Sequence, residues 1–477
     1  MLEGLEICEI NFSETQANKD FRTDSDFWTK APKQNPKLAY APIGSILKTS
    51  QYGISIEMNE NDTGYPIYRM NEIHNMLCDF EVNKCADIEA DEFRLFSLND
   101  RDVLFNRTNS YEWVGRTGLF RKQVGKNFIF ASYLVRFVPD EKKVLPEYLV
   151  AFLSSAYGVW DIRRRARHSI NQTNVNPEEV KEIQIPLLAD EIQQAIKSCF
   201  DRATKNLLES KRLYEQAETL LLDTLGMADF SPSTESVNVK SFKDSFAATG
   251  RLDAEYYQPK YEDYQARVLS YPNAWQPLMQ ACNLKDRNFS PEDSATYKYI
   301  ELADIDNSGG ITGCTEALGN ELPSRARRIV DAGDVLISSI EGSLPSCAIV
   351  PEKMNEALCS TGFYVINSDK INSETLLVLF KSPLLQNLLK QGCSGTILTA
   401  INKTEFQNIP VPIIEGGAQT KIAALVKESF SLKAESERLL DIAKRAVEIA
   451  IEQDERAALD WLLRMAPVEA IQTNGSI

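Results

Sequence analysis

The chain has 477 residues, of which 43% are hydrophobic and 25% are charged, a balance that is typical of a folded globular protein. This length exceeds what one hydrophobic core usually holds, so two units of roughly 200 residues each are expected. The formal net charge of −16 weighs against nucleic acid as a partner, unless basic residues are concentrated on one face.

The sequence predicts neither a targeting segment nor a metal site. The acidic start lacks the basic-then-apolar order of a secretory signal, and the longest apolar runs, such as residues 148–153, are too short to span a bilayer. Nine cysteines without a C-x-x-C pair indicate reduced thiols, and two histidines leave few ligands for zinc. We therefore expect a cytoplasmic protein that binds no metal and enters no membrane.

The first half of the chain predicts a polar lead-in and then a mixed domain. Residues 1–20 form the lead-in, and a domain of mixed α/β fold follows over residues 21–187. Within it, residues 102–105 and 128–135 are rich in β-branched and aromatic side chains and predict strands. Residues 146–160 predict one helix, with Pro146 near its start.

A long helix is predicted over residues 188–226. Its apolar residues recur at steps of three and four and so form one stripe, with Asp190 and Gln193 as a capping box and Gly226 as a left-handed end. About 35 residues of helix would be roughly 50 Å long. The stripe requires a partner helix, and the candidates for that contact are Ile192, Ile196, Leu207, Tyr214 and Leu221.

The second half repeats this order. A polar connector (227–250) leads to a second mixed domain (251–413), a second long helix (414–465) and a flexible tail (466–477). A helix is predicted over residues 374–389 inside this domain. The stripe of the second long helix includes Ile422, Leu425, Leu432 and Leu439, which predict a coiled-coil contact with the first stripe.

Short motifs recur in the same order in both halves, which indicates a duplicated chain. The paired motifs are Arg22-Thr-Asp-Ser-Asp-Phe-Trp28 with Arg251-Leu-Asp-Ala-Glu-Tyr-Tyr257, Asp102-Val-Leu104 with Asp334-Val-Leu336, and Ile183-Gln-Ile-Pro186 with Ile409-Pro-Val-Pro412. The predicted fold class is therefore α/β (α+β), with two tandem domains of mixed α/β fold separated by two long antiparallel helices in a pseudo-twofold repeat.

Common catalytic motifs are not found in the sequence. It has no Walker A loop, no glycine-rich dinucleotide turn and no G-x-S-x-G elbow. Asn176-Pro177-Glu178 lacks the aromatic residue of an amino-methyltransferase loop. We expect a chain without catalytic activity of its own.

Basic and polar residues of the first half nevertheless suggest a DNA contact. A polar loop follows a predicted strand, and arginines cluster after the predicted helix; these candidates are Asn106, Arg107, Thr108, Asn109, Ser110, Arg116, Arg163, Arg164, Arg165 and Arg167. Such side chains bind base edges or phosphate oxygens. The alternatives are a hydrogen-bonded turn for the loop and a solvated helix end for the arginines. The corresponding candidates of the second half are Arg325, Arg327, Arg328, Ser338 and Ser339.

These motifs together resemble the specificity subunit of Type I restriction-modification systems. The resemblance covers nearly the whole chain and also includes Val114-Gly115 after the first polar loop, Ser394-Gly395-Thr396, and Ile401-Asn402-Lys403 with Gln419. It implies two target recognition domains that each bind one half of a bipartite, interrupted DNA sequence, with the long helices as a spacer.

The resemblance also implies partners. They are double-stranded DNA, two adenine methyltransferase subunits docked on the helix pair, and motor-nuclease restriction subunits, all serving DNA modification and phage defence. This chain would bind no cofactor, since S-adenosylmethionine, ATP and Mg²⁺ would be bound by the partner subunits. Two alternatives stay open: the recognition subunit of a related modification or defence system without a restriction subunit, and a scaffold that grips proteins rather than DNA.

Overall fold

The computed structural model describes residues 9–17, 21–29, 32, 34–168, 172–395 and 399–467. The chain divides into two compact units, the first made of Met1–Asn206 with Ala434–Ile477 and the second of Leu207–Lys433. The predicted lead-in is described only in part, and the predicted tail lies outside the described residues beyond Pro467. No helix in the described part of the chain is both long and apolar enough to cross a membrane.

The first unit alternates short helices with short strands. In chain order these are α1 (Phe12–Ala17), α2 (Ser25–Thr29), β1 (Tyr40–Pro42), α3 (Ile43–Ile46), β2 (Leu47–Tyr52), β3 (Tyr65–Tyr68), β4 (Ile73–His74), β5 (Leu77–Cys78), β6 (Cys85–Ala86), α4 (Ala90–Phe96), β7 (Val103–Asn106), β8 (Thr108–Asn109), β9 (Thr117–Leu119), β10 (Ile129–Phe130), β11 (Leu134–Pro139), α5 (Pro146–Ser154), α6 (Ala156–Arg165), β12 (Arg167–His168), β13 (Thr173–Asn174), α7 (Pro177–Val180) and β14 (Gln184–Pro186).

The second unit has the same alternation. Its elements are α9 (Phe246–Thr249), α10 (Pro259–Leu269), β15 (Trp275–Pro277), α11 (Leu278–Ala281), β16 (Asn283–Lys285), β17 (Thr296–Ile300), β18 (Thr315–Leu318), β19 (Ala326–Ile329), β20 (Val335–Ser338), β21 (Cys347–Ile349), β22 (Leu358–Ser360), β23 (Phe363–Asn367), α12 (Ser373–Lys381), α13 (Pro383–Gly392), β24 (Cys393–Ser394), β25 (Ala400–Ile401), α14 (Lys403–Asn408) and β26 (Pro410–Pro412).

Each unit is built around a fully buried strand. In the first unit, β7 lies inside a six-stranded sheet of order β2-β11-β7-β9-β5-β4. In the second, β20 lies inside a four-stranded sheet of order β16-β23-β20-β21. The predicted strands at Asp102 and Asp334 are therefore core strands, which explains their unbroken apolar sequence.

Several predicted elements are divided in the structure. The strand expected over residues 128–135 is β10 and β11 with a turn between them, and the helix expected over 146–160 breaks at Ser155. The Ser155 backbone is extended and its side chain accepts a hydrogen bond from Gly158 N, so it caps a new helix. Ser382, followed by a proline, divides the helix expected over 374–389 in the same way.

The long helices are α8 (Asp190–Thr224) and α15 (Gly416–Glu452). The second ends earlier than the predicted boundary at residue 465, because Asp454 is extended and caps a separate helix, α16 (Glu455–Met465). Gly226 has a φ of +64°, the left-handed conformation predicted for it.

The two helices run antiparallel. In the first unit, Ala189 N donates to Glu455 while Ser436 Oγ donates to Ala203 O, so later residues of one segment meet earlier residues of the other. In the second unit, Ser429 Oγ donates to Ser210 O at 2.7 Å. The mixed α/β class and the two-domain repeat with two long helices are thus confirmed.

The pseudo-twofold repeat extends to individual hydrogen bonds. Gln193 Oε1 accepts from Leu145 N and its Nε2 donates to Leu188 O, both at 2.8 Å. Gln419 makes the same pair of bonds to Asn372 N and Ile414 O, also at 2.8 Å. Gln193 therefore ties the helix start to the domain in front of it, instead of completing the predicted capping box.

Candidate nucleic-acid interface

The repeated Arg-x-Asp motif closes the end of a helix in each unit. Arg22 forms two hydrogen bonds with Asp24, at 2.8 and 2.7 Å, and its Nη1 donates to Arg165 O, the last residue of α6, at 3.0 Å. Trp28 Nε1 then donates to Arg22 O at 2.8 Å. A cation at the C-terminal end of a helix also interacts favourably with the helix dipole.

The second unit repeats this arrangement with different donor atoms. Arg251 bonds Asp253 at 2.8 and 2.6 Å and donates to Cys393 O, just past the end of α13, at 2.8 Å. Tyr257 Oη donates to Arg251 O at 3.1 Å, in the role of the indole of Trp28. This motif, which we call the clasp, therefore fixes the position of the C-terminal end of each helix.

The polar loop of the first unit contains buried and exposed members. Asn106 is fully buried, and its Oδ1 accepts from Thr108 N at 3.3 Å. Thr108 is also buried and donates to Asn174 Oδ1 at 2.6 Å, whereas Asn109 is partly exposed and Ser110 exposed. The surface of the loop is thus formed by Asn109 and Ser110 rather than by Asn106.

The two arginines of the loop region lie close to aromatic rings. The Arg107 guanidinium lies 5.2 Å from the ring centre of Tyr52 and its Nε donates to Ser132 O at 3.2 Å. The Arg116 guanidinium lies 3.3 Å from the ring centre of Trp113. Partial burial lowers the pKa of Arg116.

The arginine cluster divides into structural and surface members. Arg164 and Arg165 both bond Asp161, at 2.6 and 2.9 Å, and Arg164 Nη1 donates to Phe27 O at 2.7 Å. Arg163 lies 5.5 Å from the Tyr111 ring centre. Arg167 is exposed and bonds Glu179 at 3.0 Å.

The structure brings the polar loop and the arginine cluster together, although some fifty residues separate them in the chain. Strands β12, β13 and β8 form one three-stranded sheet, in which Arg167 pairs with Asn174 and Asn174 pairs with Thr108. Arg163 Nη2 also approaches Glu112 O at 3.4 Å. Gly115 permits this packing, because a Cβ there would lie 2.6 Å from Ile162 of α6.

A cleft of about 620 Å³ opens beside this sheet. Its lining consists of Arg22, Asp24, Tyr111, Ala156, Val159, Trp160, Arg163, Arg164, Ala166 and Arg167. Tyr111 and Trp160 were not among the predicted site residues. Their positions directly after Ser110 and shortly before the arginines were the only signal for them in the sequence.

The second unit places its polar loop in the same way. Ser338 is buried, and its Oγ accepts from Ile340 N at 3.2 Å, as Asn106 accepts from Thr108. Ser339 N and Oγ both donate to Gly362 O, and Ile401 N donates to Ser339 O. This loop therefore lies against β25, the counterpart of the region that follows the arginine cluster.

The arginines of the second unit lie on or beside β19. Arg325 is exposed with its Nη2 3.7 Å from Glu301, and Thr361 N donates to its carbonyl oxygen. Arg327 Nε donates to Ser324 O at 2.9 Å. Arg328 is partly buried, 5.9 Å from the Tyr364 ring centre. Arg325 and Ser339 thus bond to adjacent residues of the chain, Thr361 and Gly362.

The residues predicted to join the helices are mostly buried. Those under a tenth exposed are Ile192, Ile196, Tyr214, Leu221, Ile422 and Leu439, and those of intermediate exposure are Leu207, Leu425 and Leu432. In the second unit, Tyr214, Leu221 and Ile422 belong to one hydrophobic cluster. The six buried side chains therefore belong to the hydrophobic core, whereas Leu207, Leu425 and Leu432 are only partly covered.

A repeated mixed α/β domain with a polar loop and a long helix defines the class, and comparison with known proteins identifies the family. The model of the Type I restriction modification DNA specificity domain matches residues 42–219 and 280–440. These two segments fall in the two halves of the repeat. The chain belongs to this family.

Individual relatives are distant. The chain is 24% identical over 419 residues to a protein of Methanocaldococcus jannaschii described as the MjaX specificity subunit of a type I restriction enzyme, with 85% of this chain and 90% of that protein covered. It is 25% identical over 228 residues to the Escherichia coli EcoKI specificity subunit, with 47% of each covered. A solved S subunit from M. genitalium is 13% identical, with 90% of this chain and 98% of that one covered and a TM-score of 0.39.

Proposed function

We propose that this chain is the DNA sequence-specificity subunit of a Type I restriction-modification complex. Each unit would bind one half of a bipartite, interrupted target in double-stranded DNA. The chain would perform no catalysis and would hold two adenine methyltransferase subunits on the helix pair, together with restriction subunits. S-adenosylmethionine, ATP and Mg²⁺ would be bound by those partners.

Family membership and one structural observation support this proposal. The three-stranded sheet joins Thr108 and Asn109 to the strand of Arg167. Arg163 of α6 approaches the same loop at Tyr111 and Glu112, directly after Ser110. Amide and hydroxyl groups suit base edges, whereas guanidinium groups suit phosphate oxygens. Such a surface offers both kinds of contact that sequence-specific DNA binding requires.

The net charge of −16 is compatible with this function if partners supply part of the positive surface. Within the first unit, the cleft is lined by Arg22, Arg163, Arg164 and Arg167 and by a single carboxylate, Asp24. That carboxylate is already bonded to Arg22. Arg164 and Arg167 are paired with Asp161 and Glu179, so the excess positive charge of this lining lies mainly at Arg163.

Mapping of adenine methylation tests the proposal. The chain would be co-expressed with the methyltransferase and restriction genes of its own locus, and methylated adenines would be located by long-read sequencing. We expect a bipartite motif with a fixed spacer that disappears when this chain is omitted. A purified complex that methylates no motif, or one whose motif is unchanged without this chain, would refute the proposal.

A further inference from the structure

The cleft of the first unit combines positive charge with exposed aromatic surface. Tyr111 is 46% exposed and Trp160 is 54% exposed, and both line the cleft together with Arg163 and Arg167. Ala156, Val159 and Ala166 complete the lining with small apolar side chains. Exposed aromatic residues next to cations are the usual components of surfaces that bind single-stranded nucleic acid.

The arginines that line the cleft differ in how firmly hydrogen bonds hold them. Arg22 is bonded to Asp24 and to Arg165 O, and Arg164 is bonded to Asp161 and Phe27 O. Both are fixed as parts of the fold.

Arg163 differs because its contacts are weak, namely a long hydrogen bond and a ring centre 5.5 Å away in Tyr111. Its Nη2 lies 3.4 Å from Glu112 O, and its Nε is buried without a hydrogen-bond partner among the described residues. A guanidinium with a weak set of bonds gains most from an incoming anion.

The volume of the cleft limits what it admits. About 620 Å³ lies within the range of sites that hold one small molecule, and it is far too small for a duplex. Bases inside a duplex are stacked on one another, so their faces cannot reach Tyr111 or Trp160. Contacts to duplex phosphates alone would involve the arginines and not the exposed ring surface of Tyr111 and Trp160.

We propose that this cleft binds one unstacked nucleotide, with its base against Trp160 and Tyr111 and its phosphate against Arg163. This proposal depends on the proposed function for its biological setting, because enzymes that modify bases within a duplex unstack nucleotides from it. The same chemistry describes a nucleotide within a DNA strand and a free nucleotide, and the experiment below separates them.

Fluorescence anisotropy of the full-length chain tests this inference. The probe is a labelled oligothymidylate of twelve nucleotides, and the titration is repeated at several salt concentrations. Stacking on one aromatic side chain is worth about 1–3 kcal/mol per base, so Trp160→Ala is expected to weaken binding roughly 5- to 150-fold. Trp160→Phe keeps a ring face and should restore most of the affinity, and Arg163→Gln should weaken binding and reduce its salt dependence.

Two exposed residues outside the cleft serve as matched controls. Trp275 lies in β15 of the second unit, and Arg94 is exposed and paired with Asp91 in the first. Trp275→Ala and Arg94→Gln should leave oligonucleotide affinity unchanged. Equal losses in the control and cleft variants would overturn the inference, as would undiminished binding by Trp160→Ala and Arg163→Gln.

Competition identifies the source of the nucleotide. Thymidine monophosphate that displaces the labelled strand at micromolar concentration would assign the cleft to free nucleotides, whereas displacement only by unlabelled strand would assign it to DNA. The outcome is separate from that of the proposed function. A methylated motif with unaltered oligonucleotide binding by the cleft variants refutes only the nucleotide site, and absence of the motif refutes the specificity function.

Discussion

Arg164 shows how a residue that resembles a DNA contact in sequence serves the fold. Its Nη1 donates to Phe27 O at 2.7 Å, and at the equivalent place in the second unit Gln391 Nε2 donates to Tyr256 O at 3.1 Å. One half of the repeat thus makes this bond with a neutral side chain. Positive charge at Arg164 is not required for the contact.

We therefore predict that Arg164→Gln retains most of the stability and that Arg164→Ala does not. Loss of the donor leaves a carbonyl partly unpaired, at a cost of about 1–3 kcal/mol. Asp161 keeps its bond to Arg165 in both variants. Urea unfolding midpoints measure the difference, and equal destabilisation by the two substitutions would contradict the structural role.

The clasp aspartates give the stability a pH dependence. The hydrogen bonds from Arg251 hold the pKa of Asp253 below its usual value of 3.8. A lowered folded-state pKa contributes stability that is full above the unfolded value and is lost as the pH falls through the folded one. Because the Asp253 side chain is 47% exposed, solvent screening keeps this contribution below about 1 kcal/mol.

We predict that Asp253→Asn lowers the thermal midpoint at pH 7 and that the difference from the unchanged chain shrinks below pH 4. Calorimetric scans between pH 7 and pH 3 measure it. A difference that stays constant over this range would mean that the charge of Asp253 contributes nothing to the clasp.

At the scale of elements, one glutamine connects each long helix to its domain. Gln193 is buried and bonds a backbone N–H before α5 and a backbone C=O before α8. Gln193→Ala leaves both groups unpaired, so we expect a loss of about 2–5 kcal/mol. Gln194 is its exposed neighbour, and Gln194→Ala should change stability by less than about 0.5 kcal/mol. Denaturant unfolding of the pair tests the difference.

The repeat and its long helices were predictable because their signals are periodic and occur twice. The breaks inside predicted helices were not predictable, because Ser155 and Asp454 are single capping residues within sequences that otherwise favour helix. The polar segment follows a core strand as predicted, and its contact with DNA stays a prediction. Burial of Asn106 followed from its packing against residues 115 and 116, which no local pattern reveals.

At the scale of the molecule, positive charge is local while the total is negative. Arg163 is a surface cation whose removal leaves the bonds of Arg164 and Arg165 intact. We predict that Arg163→Ala weakens duplex binding by the assembled complex to a similar extent for all sequences and reduces the salt slope by about one. Titrations at several salt concentrations, with Arg94→Ala as the control, measure this. An unchanged slope would remove Arg163 from the phosphate contacts.

The two units also differ in how they are laid out along the chain. The second is one continuous segment, Leu207–Lys433, whereas the first requires residues from both ends of the sequence, among them Ala203 and Ser436. During synthesis the ribosome therefore releases every residue of the second unit before the first unit receives its last helical segment. We therefore expect the half of the protein that is translated first to complete its contacts last, with the apolar face of its helix exposed in the interval.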